Sequence, residues 1–521
     1  MKKKVVASVL VAAMATGLLA GCGNSGTASG SLTDTVSNEY EEKVINGITY
    51  HVATDLTDEN ITLTYFNFDQ DETTQYLAER FMELYPNIEV KVVYEAVGTY
   101  QDTLVTMFSN NEAPDVIMYS DADTALSNMW LADISSYYNS DEETAELAST
   151  INDCELGCYG TSARFGVPVK YFPSAVYVDR NVLTKLNLEI PSQNWTWDEM
   201  IQLIKDATTD IGDGLSYYGL GYYNRLDSYY GIASSQSIKG EFGFDGTLFD
   251  LSAWAVGEQQ FSDLKLGGYV APSQNSKAML QWYGDQTAWC GSTGHVAMFS
   301  EAFWTFQNLW NTEDYEQYNL DIVPYVIPAV SEEDASTDHH TIATIDWGGV
   351  TTSCQYPREA YELLKFMSFG RDGWLTRIEM YNDETIVNAS GVALKHDVMP
   401  APITTNEEVW DAYIEMYCKG MDEEHVQLWT DYFASCMQPI PYGWTSIAGY
   451  WNYCSGYFNA IGIHDLVDAG KAKAADYVDE ATAEANIYHA QAMINYFGPN
   501  GYDILTDEEI EYWESVEANG K

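Results

Sequence analysis

A helix-covered parallel sheet, and so an α/β fold, is what residues 61–119 predict, on three observations. Runs rich in β-branched and aromatic residues alternate with amphipathic segments, the order is strand, helix, strand, helix, strand, and turn residues sit at the junctions. "ITLTYFNF" (61–68) reads as the first strand. In "DETTQYLAERFMELYPN" (71–87), Leu77, Ala78, Phe81 and Leu84 keep helical spacing, Asp71 or Thr73 can cap the start, and Pro86 with Asn87 stops the helix. "IEVKVVYE" (88–95) alternates as a strand, "YQDTLVTMFSNN" (100–111) is helical, and "DVIMYS" (115–120) is a short buried strand.

Outside this unit the pattern is less regular. "INGITYHVATD" (45–55) predicts a strand or hairpin ahead of the sheet. "FGVPVKYFPSAVYVDRNVL" (165–183) is apolar but carries Pro168 and Pro173, which predicts an edge or crossover segment rather than one central strand. "VWDAYIEMYCKG" (409–420) aligns Trp410, Tyr413, Ile414 and Tyr417 on one helix face, a core pattern. No internal repeat of solenoid length is present.

The start, "MKKKVVASVLVAAMATGLLAGC", has a basic head, a short apolar run and small residues, so residues 1–21 read as a signal peptide rather than a membrane span. The small polar stretch 23–38 suits a flexible tether, and 22–57 forms the tether with a short N-terminal extension. The formal charge of −54 repels phosphates and argues against nucleic acid as a partner; neutral or cationic ligands are compatible with it. Of the eight cysteines, Cys154 and Cys158 in "CELGC" could close a small loop, but pairing is not readable from sequence. No zinc spacing, calcium loop, nucleophile elbow or phosphate loop is present, so neither metal nor cofactor is expected, and no carboxylate pair is marked out for glycoside hydrolysis.

Four blocks together resemble the extracellular solute-binding proteins of ABC importers, the family that includes maltose-binding protein. They are "FMELYPNIEVKVVYE" leading through "YQDTLVTMFSNNEAPDVIMYS"; "FGVPVKYFPSAVYVDRNVLTKLNLEIPSQNWTWDEM"; "GHVAMFSEAFW"; and "PREAYELLKFMSF", with weaker likeness in "PIPYGWTSIAGYWN". Leu19-Ala20-Gly21-Cys22 is similar to a bacterial lipoprotein box, which implies cleavage before Cys22 and a diacylglyceryl anchor on its sulfur. The resemblance implies a two-lobed periplasmic-binding-protein-like fold with discontinuous lobes joined by a hinge. By the matching blocks, lobe one takes 58–168 and 299–345, and lobe two takes 169–298 and 346–521. It also implies a monomer that captures a carbohydrate between its lobes, performs no catalysis, and hands the ligand to ABC permease subunits in the membrane. A polyamine or other cationic solute is the alternative ligand, and a surface-anchored glycan hydrolase the alternative class.

Ligands of open parallel sheets bind beyond the carboxyl ends of the strands. That places Asp69, Gln70, Tyr119, Asp121 and Asp123 as candidates, since carboxylates accept hydrogen bonds from sugar hydroxyls. Asp121 and Asp123 are equally suited to capping the next helix. Aromatic rings can stack on pyranose faces, and the candidates are Tyr171 and Phe172, Tyr223, Tyr229 and Tyr230, Trp304, Trp347 and Trp444. Core packing is the competing reading for each Trp, weakened where glycines flank it, as in "DWGG" and "PYGW".

Overall fold

The computed structural model describes residue 32 and residues 34–521, apart from 69–71, 120, 148–162, 213–214, 224–225, 229, 231–237, 311, 331–340, 384, 388–398 and 438. The leader, Cys22, Asp69, Gln70, Tyr229, and the Cys154 and Cys158 pair lie outside the described residues. The fold is mixed α/β.

Of the strand or hairpin expected over 45–55, the structure shows a hairpin that begins earlier, with strands β1 (Tyr40–Ile45) and β2 (Ile48–Ala53). Its turn places Asn46 at φ +51° and Gly47 at φ +88°, the left-handed pair that a two-residue hairpin requires. Next, β3 (Ile61–Asn67), α1 (Glu72–Leu84), β4 (Ile88–Tyr94), α2 (Val97–Ser109) and β5 (Val116–Tyr119) follow in the predicted order. β3 pairs in parallel with both β4 and β5. A short helix α3 (Ala122–Ser127) leaves the end of β5.

β6 (Val167–Asp179) corrects the expectation for the proline-bearing segment. It is one strand of 13 residues, buried throughout, with neighbours on both sides. Proline is tolerated because the strand changes partners along its length. Pro173 is the last residue in register with β11 (Thr341–Val350), opposite Ala343, and Ser174 is the first in register with β9 (Val296–Ala302), opposite Ala302. Pro168 lies beside the β11 irregularity between Asp346 and Trp347. At both places a missing N–H interrupts little of the ladder.

Further elements include α4 (Trp197–Asp206), β7 (Thr209–Gly212), β8 (Leu215–Tyr223), α5 (Ser252–Leu266), β10 (Ile322–Tyr325), α6 (Pro357–Met367), α7 (Arg371–Asn382), α8 (Glu407–Tyr417), α9 (Glu423–Ser435), β12 (Pro439–Pro441) and α10 (Val478–Phe497). Thr196 and Glu199 close a reciprocal capping box at the start of α4. The sheet runs β4-β3-β5-β11-β6-β9-β8-β7, with β10 on β6 and β12 on β11.

Packing distributes the elements among separate hydrophobic cores. α6 and α7 lie on α1, with the Phe81 and Phe366 rings 5.6 Å apart and Arg80 paired to Glu379 at 2.9 Å. Along with Tyr413, Trp429 and Phe433 of α8 and α9, they join the core that covers β3–β5. Val323 and Tyr325 of β10 instead enter a second core with Trp195, Ile204, Leu220 and Met298. A third cluster unites Phe242, Phe249, Trp254, Tyr450, Phe458 and Ala485. Helices distant in the chain thus return to the first core.

Candidate functional site

A cleft of about 1090 Å³ opens where the end of β8, the turn at 241–243, α5 and the segment 450–468 converge. Its position follows from local conformations that the chain holds deliberately. Phe242 sits at φ +55°, a left-handed conformation that bulky residues rarely adopt. Gly243 follows at φ +70°, where an added Cβ would lie 2.0 Å from the Asp250 carbonyl oxygen. The turn thereby sends Phe242 into the third core, stacked on Tyr450 at 5.7 Å, and turns Glu241 inward. Opposite it, residues 454–458 form a π-helical turn, an irregularity that re-aims side chains and is frequent at functional sites.

The cleft pairs aromatic faces with held carboxylates. Trp451 and Tyr222 are 52% and 47% exposed, so both rings offer surface to a ligand. Glu241 is buried and accepts hydrogen bonds from the Gly443 N–H and the Tyr450 hydroxyl, each at 2.9 Å. On another wall, buried Glu258 lies 2.8 Å from Nδ1 of His464, whose Nε2 is 3.6 Å from Asp468. Lys265 forms an ion pair with Asp468. Glu258, His464 and Asp468 bring ligand atoms within 4.8 Å of one another. The imidazole, however, presents opposite nitrogens to the two carboxylates, which makes it a bridge between them rather than one arm of a single-ion chelate.

Of the residues singled out from sequence, Tyr223 lines the cleft. Trp304 is partly buried against Phe172 in an edge-to-face contact at 5.1 Å, and its neighbour Thr305 reaches the cleft wall. Tyr230 is partly buried, edge-on to Trp197 at 5.3 Å. Trp444 belongs to the short helix Gly443–Ser446, with its side chain outside the described set.

Three expectations give way to packing. Tyr119, Tyr171 and Trp347 are almost wholly buried in the first core. Tyr119 and Trp347 face each other in the β5–β11 ladder, and the Tyr171 hydroxyl donates to the Cys436 carbonyl. The glycines after Trp347 serve strand packing rather than an open loop. A Cβ on Gly348 would come within 2.6 Å of Val169, and one on Gly349 within 2.5 Å of the Phe165 carbonyl oxygen.

The two carboxylates after β5 divide their roles. Asp121 caps α3, accepting from the Asp123 N–H at 3.0 Å and the Thr124 N–H at 3.4 Å. Burial raises its pKa. Asp123 is 4% exposed, and its Oδ1 accepts from the Gly449 N–H and, at 3.1 Å, from the Tyr496 hydroxyl. Burial, reinforced by Asp121, pushes its pKa up to about 7.

Sequence reasoning missed Trp451, Tyr222, Glu241 and Glu258. Glu241 and Tyr450 stand 209 residues apart in the chain, so no local spacing could join them. The one available signal was the aromatic density of "GYWNYCSGYF".

The profile of the bacterial extracellular solute-binding protein family matches residues 67–369, more than half of the chain. The chain belongs to that family, whose members bind solutes and are not enzymes. Its fold is similar to an ABC substrate-binding protein of Listeria monocytogenes solved in complex with cycloalternan, at TM-score 0.57 and 18% identity over 82% of this chain and 98% of that one. It is also similar to the sugar-binding protein MalE of Xanthomonas citri, at TM-score 0.60 and 13% identity over 82% and 98% of the two chains. A Streptomyces antibioticus protein named as an uncharacterised lipoprotein in the oleD 5′ region is 28% identical over 162 residues. That match spans 30% of this chain and 33% of the relative.

Proposed function

We propose that this protein is the lipid-anchored substrate-binding component of an ABC importer, and that it captures a neutral sugar or oligosaccharide in the cleft for delivery to permease subunits. The observation that carries the reading is the pairing of half-exposed rings, Trp451 and Tyr222, with carboxylates already fixed by protein donors. Flat rings match the C–H faces of sugars, and fixed acceptors take hydroxyl hydrogens without reorganising. A ring-and-carboxylate cleft also suits a polyamine, but here Lys265 and His464 already stand beside Asp468 and Glu258. The wall therefore offers a cation less uncompensated charge than its acid count implies. The cycloalternan complex of the Listeria protein and the sugar-binding description of MalE point in the same direction.

Ligand closure would follow from contacts made in one arrangement of the lobes and not the other. Thermal-shift screening of neutral oligosaccharides, followed by calorimetry at low and high salt, tests the sugar reading. A raised melting temperature with salt-independent affinity is expected. Affinity that collapses with salt, or a shift with polyamines alone, overturns it.

The anchor rests on Leu19-Ala20-Gly21-Cys22 and on the lipoprotein naming of the Streptomyces relative. Cys22→Ser should move the protein from the membrane fraction to the medium. Retention on the membrane contradicts the anchor.

A further inference from the structure

Trp451 lines both the main cleft and a smaller polar pocket of about 330 Å³, which Asp123, Asn452 and Tyr496 also bound. Its ring is half-exposed, yet the backbone around it is tied down from two directions. On one side, Nδ1 of buried His489 in α10 lies 2.8 Å from the Ala448 carbonyl oxygen, which can only accept, so the ring donates there. Burial lowers the His489 pKa to about 4, which keeps the imidazole neutral. On the other side, the Asp123 carboxylate accepts from the Gly449 N–H and from the Asn452 N–H, so the turn is held both before and after the tryptophan. The Asn452 side chain donates to the Tyr496 hydroxyl at 3.3 Å, and that hydroxyl donates to Asp123 Oδ1 at 3.1 Å. One buried carboxylate thus closes a circuit of hydrogen bonds around Trp451.

The strength of that circuit depends on charge, because hydrogen bonds to an ionised carboxylate are roughly twice as strong as those to a neutral acceptor. The titratable groups facing Asp123 are Asp121 on its own helix, which disfavours the charge, and the Tyr496 hydroxyl of α10, which favours it. Gly449 and Asn452 contribute amides, Tyr450 and Tyr453 of the same turn point into the third core, and the short helix Gly443–Ser446 beside α3 carries no titratable side chain. Among the described residues no basic side chain pairs with Asp123, and its Oδ2 is buried without a donor. We propose that Asp123 is a positioning residue for ligand capture: its ionised carboxylate fixes the turn 449–452, and with it the indole of Trp451, and proton uptake by Asp123 loosens both. That role rests on the sugar reading for what the indole captures, whereas the hold on the turn does not, so the two can fail separately.

Fluorine NMR of the full mature chain carrying fluorotryptophan reads the indole directly, with Trp451→Phe identifying its resonance. In wild type without ligand, that resonance should move through one transition with a midpoint at about pH 7. Asp123→Asn, which cannot ionise, should hold it still. Tyr496→Phe removes a donor to the charged form and should move the midpoint upward. A Trp451 resonance indifferent to pH, a transition that survives unchanged in Asp123→Asn, or an unmoved midpoint in Tyr496→Phe overturns the role. Tyr496→Phe decides the matter should Asp123→Asn fail to fold. With maltohexaose as the probe at about pH 8, Asp123→Asn should lower affinity about five-fold in the wild-type background and not at all on Trp451→Ala. Equal losses in both backgrounds give Asp123 no action through the indole and also overturn the role. Failure of maltohexaose to bind wild type counts against the sugar reading and leaves the resonance measurement to decide on Asp123.

Discussion

Two tryptophans, Trp347 and Trp451, each have a glycine within two residues and sit in opposite environments. Trp347 lies in β11 and Trp451 in the short helix Tyr450–Tyr453. Trp347 is 0% exposed and wedged into the first core, whereas Trp451 is 52% exposed between two pockets. The difference lies in the conformation of the nearby backbone. Gly348 and Gly349 let β11 press against Val169 and Phe165, so glycine there marks close approach of strands. Gly449 is packed as closely, since a Cβ there would lie 2.5 Å from the Tyr488 carbonyl oxygen, but it is also left-handed at φ +79° and turns the chain so that Trp451 faces outward. A glycine beside a tryptophan thus identifies a cleft only when the backbone it frees is turning.

Replacing each ring should separate the two roles. Trp347→Ala removes a fully buried indole from a packed sheet and should destabilise the fold by about 3–5 kcal/mol. Denaturant unfolding checks this, and an unchanged midpoint would remove Trp347 from the core account. Trp451→Ala should weaken sugar binding by about ten-fold, as expected for loss of a stacking face worth about 1–1.5 kcal/mol, with little change in melting temperature. If melting falls as far as in Trp347→Ala, the contrast between the two sites collapses.

A pH-dependent contrast concerns Asp123, at the edge of the Trp451 region. Its folded pKa of about 7 lies above the ordinary carboxylate value near 3.9, so between these limits the folded state holds more protons than the unfolded one. Stability from this group is therefore lost as pH rises from about 4 to 7, and the loss is complete above that. Other groups titrate in the same range, among them Asp179, raised to about 6, and His425, raised by Asp321. The comparison with Asp123→Asn isolates the term that matters: wild type should lose stability relative to the variant between pH 5 and pH 7. Parallel pH profiles would contradict the assignment.

Much of the first core was legible from sequence because its signals are local. The period of α1 and the alternation of β4 both rest on neighbours within a few residues. β6 was misread because the rule against proline in central strands assumes one partner per strand face, and this strand exchanges partners at Pro173. Asp121 and Asp123 were correctly marked as polar residues beyond β5, but their division into cap and pocket residue depends on Gly449 and Tyr496, more than 300 positions away. The cleft was the least legible part. Glu241, Glu258, His464 and Trp451 meet only after three distant stretches of chain fold together, and Phe242 reaches its place through a backbone conformation that no propensity favours.

The strand that exchanges partners has a thermodynamic consequence. Tyr171 of β6 is buried in the first core and Val178 in the second, on one uninterrupted rod of backbone. β11 does the same, with Ile342 in the second core and Trp347 in the first. Neither core can melt without stripping partners from strands that the other needs. Heat should therefore dissolve both in one cooperative transition, even in a chain far longer than those that usually unfold in a single step.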